Sequence, residues 1–146
     1  MVVEVRPKIV ARFDVVCLGP VNHFLGIVIQ RDRTKRHLYL SQSGYIEGIL
    51  ERMGLAECNG VSTPLIPEEK LILRPREADE STEPKANQQH YYQAIGSLGW
   101  LAGASRPDIA YAVSLLGRFS QDPGETHCQG VKQVFQFVAH TKGLRL

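Results

Sequence analysis

The hydrophobic period of this chain changes from strand-like to helical at about residue 41, and that change restricts its fold more than any other feature. His23 to Gln30 is rich in Phe, Leu, Ile and Val, and His37 to Leu40 resumes the strand-like pattern. Between them lies the polar run Arg31-Asp32-Arg33-Thr34-Lys35-Arg36, so the stretch predicts a β-hairpin with a strongly basic turn. From Ser41 the period is helical. Tyr45, Ile46, Ile49, Leu50 and Met53 fall on one face, with Ser41 placed to cap the start and Gly54 to stop the end. Strands first and helices afterwards make the fold class α+β: an N-terminal β-hairpin followed by a mostly helical region.

The remaining segments fill in around that switch. Lys8 to Val16 predicts a short helix with Ile9, Val10, Phe13 and Val16 on one side, stopped by Leu18-Gly19-Pro20. Residues 66–88 hold Pro67, Pro75, Pro84 and six acidic side chains, with few apolar residues beyond Leu71-Ile72-Leu73, the composition of a linker. Three helical pieces follow. Gln89 to Ala104 presents Tyr92, Ile95, Leu98, Leu101 and Ala102, with Gly96, Gly99 and Gly103 suiting close packing against a neighbour. Ser105 is placed to cap the next helix, whose stripe is Ile109, Ala112, Val113, Leu116 and Phe119. Asp122-Pro123-Gly124-Glu125 repeats that starting grammar ahead of Val131, Val134, Phe135 and Val138, and Gly143 ends the run. The expected division is residues 1–65, a linker at 66–88, and a three-helix segment at 89–146.

Composition limits the class of function. With 146 residues, 43% hydrophobic and 22% charged, the chain is long enough and apolar enough for a core. A net charge of +2 means that any nucleic-acid footprint comes from local clustering. Cys17, Cys58 and Cys128 are odd in number and widely spaced, which argues against a disulfide framework or a structural zinc site and for a reducing compartment. Glu4, Arg6, Pro7 and Lys8 interrupt the N-terminus, so it does not read as a signal peptide, and no apolar run reaches the roughly 20 residues that span a bilayer. An intracellular setting, cytoplasm or nucleus, is expected. His127-Cys128 has no second pair at ligand spacing and reads as a packed helix face; Ser97 lacks the glycine flanks of a nucleophile elbow. No catalytic residue and no metal ligand is assigned.

An ordered set of short motifs then points to one family. Phe13, Leu18-Gly19-Pro20-Val21, Phe24-Leu25-Gly26-Ile27, Leu40-Ser41-Gln42 with Tyr45-Ile46, and Val61-Ser62-Thr63-Pro64-Leu65 come first. Tyr92 with Ile95-Gly96-Ser97-Leu98, Ser105-Arg106-Pro107-Asp108-Ile109-Ala110, Pro123 with His127, and Thr141-Lys142-Gly143 follow. Together they resemble the reverse transcriptase of copia-type retrotransposons over about residues 8 to 146. The resemblance implies a right-handed polymerase whose palm carries a Tyr-x-Asp-Asp turn binding two divalent metals, Mg2+ in the intact enzyme, because phosphoryl transfer needs paired carboxylates to hold those ions. No two aspartates are adjacent here, and Glu68-Glu69 lies in the proline-flanked linker as a solvated pair. By family order the catalytic turn lies before Met1 and the ribonuclease H domain beyond Leu146. The chain thus resembles the primer-grip hairpin, thumb and connection, without a cofactor of its own. The resemblance also expects aspartate where Cys17 stands and tryptophan after His127, departures that suggest a truncated element copy.

The candidate contacts to nucleic acid are Phe24, Leu25 and Gly26, where a glycine lets a backbone come close, the cations Arg31, Arg33, Lys35 and Arg36, and Arg106 at a helix start. Arg106 also has Asp108 within reach as a partner. With no interleaved aromatics, binding is expected to be weak, backbone-directed and indifferent to sequence, on an RNA–DNA or DNA duplex. The competing expectation is a protein-interaction module that docks on another chain, such as a further reverse transcriptase, through apolar surface; a remnant without function is the third.

Overall fold

The computed structural model describes residues 2–16, 18–65 and 87–146, with backbone alone for residues 2–4. The linker expected at 66–88, with Glu68-Glu69, and Cys17 therefore fall almost wholly outside the described residues. The architecture is α+β: a small antiparallel sheet early in the chain, then helices packed on one core.

The sheet has three strands, β1 (His23–Phe24), β2 (Ile27–Asp32) and β3 (His37–Ser41), in the order β1-β2-β3. The predicted hairpin is β2 and β3, with Ile29 opposite Leu40 and Arg31 opposite Leu38. The first predicted strand is itself folded in two. Leu25 and Gly26 both have left-handed φ, 50° and 78°, which is what a two-residue hairpin turn of the primed kind demands. Gly26 is thus needed for its backbone angle.

Before the sheet, α1 (Val2–Val10) lies earlier than the helix expected at Lys8–Val16. Ile9, Val10, Phe13 and Val16 are exposed, so their apolar spacing has no partner surface to fix a helix there.

Helix α2 (Ser43–Arg52) buries Ile46, Ile49 and Leu50, and ends at Gly54, whose φ is 67°. The cap assigned to Ser41 is a misreading. Ser41 stays in β3, paired across from Val28, and Gln42 occupies the cap position with its side chain engaged elsewhere. Helix α3 (Gln88–Ala104) is capped by Asn87, whose side chain accepts the His90 N–H at 3.1 Å. Its buried face is Tyr91, Ala94, Leu98 and Leu101. Tyr91, not Tyr92, faces inward because its hydroxyl donates to the Leu116 carbonyl at 2.8 Å. Burial pushes the Tyr91 phenol above its ordinary pKa, so it remains a donor. The close packing expected at Gly96, Gly99 and Gly103 is absent: a Cβ at any of them would meet nothing within 4 Å.

A short 3₁₀ turn (Pro107–Ile109) leads into α4 (Ala110–Gly117), replacing the single helix expected from Ser105. The Ser105 hydroxyl, assigned as its cap, bonds to Gln42 instead. Helix α5 (Glu125–His140) buries Val131, Val134, Phe135 and Val138 as its period predicts. Its cap is not Asp122. Gly124 takes that position and donates its N–H to His127 Nδ1 at 2.9 Å, while the imidazole stacks on Phe119 with ring centres 4.0 Å apart. His127 is therefore part of a packed helix start.

One hydrophobic core joins α2, α3, the 3₁₀ turn, α4 and α5, drawing on both sides of residues 66–86. Side chains such as Ile49, Leu98, Leu116 and Val134 are wholly buried there, each worth roughly 1.5–3 kcal/mol of transfer free energy. The sheet contributes no side chain to that buried set. Among the described residues no helix is long and apolar enough to cross a membrane. Cys58 and Cys128 are free thiols.

Candidate nucleic-acid interface

The alternation of strand side chains decides which cations can act together. On β2, Ile29 and Arg31 point to the same side, and their cross-strand partners Leu40 and Leu38 share it. A groove of about 1230 Å³ lies along this side and around the turn, lined by Pro20, Val21, Ile29, Leu38 and Leu40, by the guanidinium-bearing Arg31, Arg33 and Arg36, and by Asp32 and His37. Apolar side chains supply a smooth wall and the arginines supply planar donor forks, which suit phosphate oxygens.

The turn that carries the charge is built from within. Asp32 Oδ1 accepts the Thr34 N–H at 2.9 Å, the Thr34 hydroxyl at 2.6 Å and the Lys35 N–H at 3.1 Å. This is the carboxylate-centred turn that lets a polar tip hold its shape. The Thr34 hydroxyl first, then the Lys35 backbone, hold the Asp32 carboxyl below the usual carboxylate range. Asp32 Oδ1 thus serves the turn while the residue also lines the groove, and the four neighbouring cations make no ion pair among the described residues. Arg36 adopts φ of 56°, which bends the chain back into β3. His37, which also lines the groove, has its Nδ1 2.9 Å from the Tyr39 hydroxyl, and Arg145 donates to Gln30 Oε1 at 2.9 Å.

The structure sorts the eight sequence candidates into three places. Arg31, Arg33 and Arg36 meet in the groove, and Lys35 sits at the tip of the same turn but not in its lining. Phe24 and Leu25, 60% and 66% exposed, form a separate turn with Gly26. Arg106 is 2% exposed and pairs with Asp108 at 2.7 Å, so the pairing expected for it is present and a surface contact with phosphate is not open to it. A guanidinium enclosed by protein donors and acceptors cannot reach a duplex without unfolding its surroundings.

Sequence reasoning missed the groove's apolar members and Thr141 as a second partner of Arg106. Leu38 and Leu40 carried a signal, since alternation places them on one side of β3, whereas Val21 carried none. The pairing of Arg31 with Leu38 needed the register. No group of three or more His, Cys, Asp or Glu residues among the described residues is placed to hold a metal ion.

The chain is 37% identical over 145 residues to the retrovirus-related Pol polyprotein from transposon TNT 1-94 of Nicotiana tabacum, covering 98% of this chain and 11% of that protein. It is 37% identical over 130 residues to the retrovirus-related Pol polyprotein from transposon RE1 of Arabidopsis thaliana, 89% of this chain and 8% of that protein. An uncharacterized mitochondrial protein of Arabidopsis thaliana is 33% identical over 129 residues, 88% of this chain and 50% of its own length. The chain therefore spans about a tenth of these polyproteins and half of the mitochondrial protein. No protein-family model matches it. No solved structure matches it.

Proposed function

We propose, from the premise that this chain is homologous to a segment of the retrovirus-related Pol polyproteins of copia-type transposons, that it is a nucleic-acid-holding part of a reverse transcriptase. In this reading it grips the backbone of an RNA–DNA or DNA duplex and leaves the chemistry to carboxylates it does not itself carry. The observation that supports it best is the placing of Arg31, Arg33 and Arg36 in one groove with apolar Ile29, Leu38 and Leu40. Such a surface meets phosphates by charge and the sugar edge by apolar contact, and reads no base. The setting implied is intracellular, where the template is, and the segment itself needs no cofactor.

The test is where a duplex touches the chain. Adding a short RNA–DNA or DNA duplex at low salt slows backbone amide exchange within residues 27–41 and leaves α4 unaffected. Slowing confined to the helices, with none in the β2–β3 hairpin, would refute the assignment of the groove.

A second reading, docking on another polypeptide such as a further reverse transcriptase chain, is favoured by apolar exposure ahead of the sheet. Phe13, Val16, Leu18 and Val21 are between 57% and 92% exposed. Exposed large apolar side chains, where they gather into a patch, are characteristic of an interaction surface. It adjoins the groove at Val21.

A further inference from the structure

We propose that Arg106 is a positioning residue, whose buried guanidinium holds Thr141 so that the segment following α5 returns to the outer edge of β3 and fixes the groove relative to the helices. Its functional consequence rests on the nucleic-acid reading above; the coupling itself rests on the contacts alone.

Three motifs that are far apart in sequence meet at one junction. Gln42, after β3, accepts a hydrogen bond from the Ser105 hydroxyl at 2.7 Å, and both residues are buried. Next to Ser105, Arg106 donates from Nε and Nη2 to the Asp108 carboxylate, at 2.9 and 2.7 Å. Its Nη1 reaches the Thr141 carbonyl at 3.2 Å and its Nη2 the Thr141 hydroxyl at 2.6 Å. The same hydroxyl donates back to the Phe137 carbonyl at 2.6 Å, so the guanidinium and the last turn of α5 share one atom. Only a planar, multi-donor cation serves Asp108 and Thr141 at once.

From Thr141 the chain turns, with the Leu144 N–H donating to the Thr141 carbonyl at 3.0 Å, and runs to the sheet. Leu146 exchanges two backbone hydrogen bonds with Leu40, at 3.0 and 3.1 Å. Leu40 lines the groove. The path from Arg106 to the groove is therefore continuous in hydrogen bonds and covalent chain. It matters because the sheet supplies no side chain to the buried core, so apolar packing does not set its orientation. The exposed Lys142–Glu47 pair at 3.5 Å adds little by comparison.

Thr141→Val removes one acceptor from the guanidinium while keeping side-chain shape, and Thr141→Ser keeps the acceptor. Two readouts separate coupling from plain stability: amide exchange at Leu40, whose N–H is bound to Leu146, and duplex affinity across a salt series. Thr141→Val is expected to speed Leu40 exchange roughly tenfold, because a buried charged donor loses its acceptor and the local opening equilibrium shifts. Amides in the middle of α3 keep their rates. Duplex affinity falls several-fold with the salt slope unchanged, since every groove cation remains. Thr141→Ser behaves as the parent chain. Unchanged Leu40 exchange in Thr141→Val overturns the coupling, and faster exchange at unchanged affinity overturns its role in binding. If the parent chain binds no duplex, the reading of the groove fails while Leu40 exchange still decides the clamp.

Discussion

Replacing Arg106 with alanine lowers the free energy of unfolding by about 3 kcal/mol, a fall of roughly 10 °C in melting temperature for a chain of this size. The guanidinium is 2% exposed and serves Asp108 and both oxygens of Thr141. Its removal leaves the Asp108 carboxylate without its cation, takes one donor from each of the two part-buried Thr141 oxygens, and leaves a cavity beside the Phe137 ring, which lies 5.7 Å from the guanidinium carbon. The loss stays below the top of the range for broken buried pairs because the Asp108 side chain is 36% exposed and water takes up part of its charge. Arg106→Lys keeps the charge but not the fork, and is expected to recover about half of the loss. Urea denaturation of the three proteins measures this directly; a change within about 0.5 kcal/mol for alanine would show that the clamp is not structural.

Exchanging Arg31, Arg33 and Arg36 together for glutamine lowers duplex affinity on the order of a hundredfold near physiological salt, through the loss of counterion release at three phosphates. Fold stability changes little, because these side chains are outside the core and make no ion pair among the described residues. The Asp32-centred turn survives the exchange, since Thr34 and Lys35 supply its donors through a hydroxyl and the backbone. Lys35→Gln alone costs less, as Lys35 is not part of the groove lining. Fluorescence anisotropy with a labelled duplex gives the affinities, and a triple variant that binds as tightly as the parent removes the groove from the account.

The sequence announced what local rules control. Strand-like composition gave β3 and part of β2, which runs on through Arg31 and Asp32 of the expected turn, the helical stripes gave the buried faces of α2 and α5, and Gly54 ended a helix as its left-handed freedom predicts. Non-local contacts were out of reach. Nothing in the order of residues says that Arg106 will bond Thr141, 35 positions on, or that Ser105 will bond Gln42, 63 positions back. A charged residue reads as surface until its partners are known. Adjacent Tyr91 and Tyr92 were interchangeable by period, and only the Leu116 carbonyl selects between them. The turn at Leu25-Gly26 was hidden because leucine seldom takes positive φ, so no Asn-Gly signal marked it. In the candidate site, the basic run was legible residue by residue. Its separation into groove-lining Arg31, Arg33 and Arg36 and outlying Lys35 was not, because that depends on how the turn bends.

Two of the tripeptides that carry the resemblance have changed meaning. Phe24-Leu25-Gly26 is a tight turn rather than a stretch of strand, with the first two side chains exposed. Arg106-Pro107-Asp108 is the core of a junction among motifs, in which the arginine faces inward. The proposed grip on nucleic acid rests on a less distinctive run, whose arginines need only charge, reach and a common groove.

The most direct measurement is the salt dependence of the chain's affinity for a short RNA–DNA duplex. If the three groove arginines each meet a phosphate, log affinity falls linearly with log salt at a slope of about −3, and the triple glutamine variant loses most of that slope. A parent chain that shows no binding at low salt, or a slope that the triple variant leaves intact, contradicts the assignment of this groove as the nucleic-acid grip.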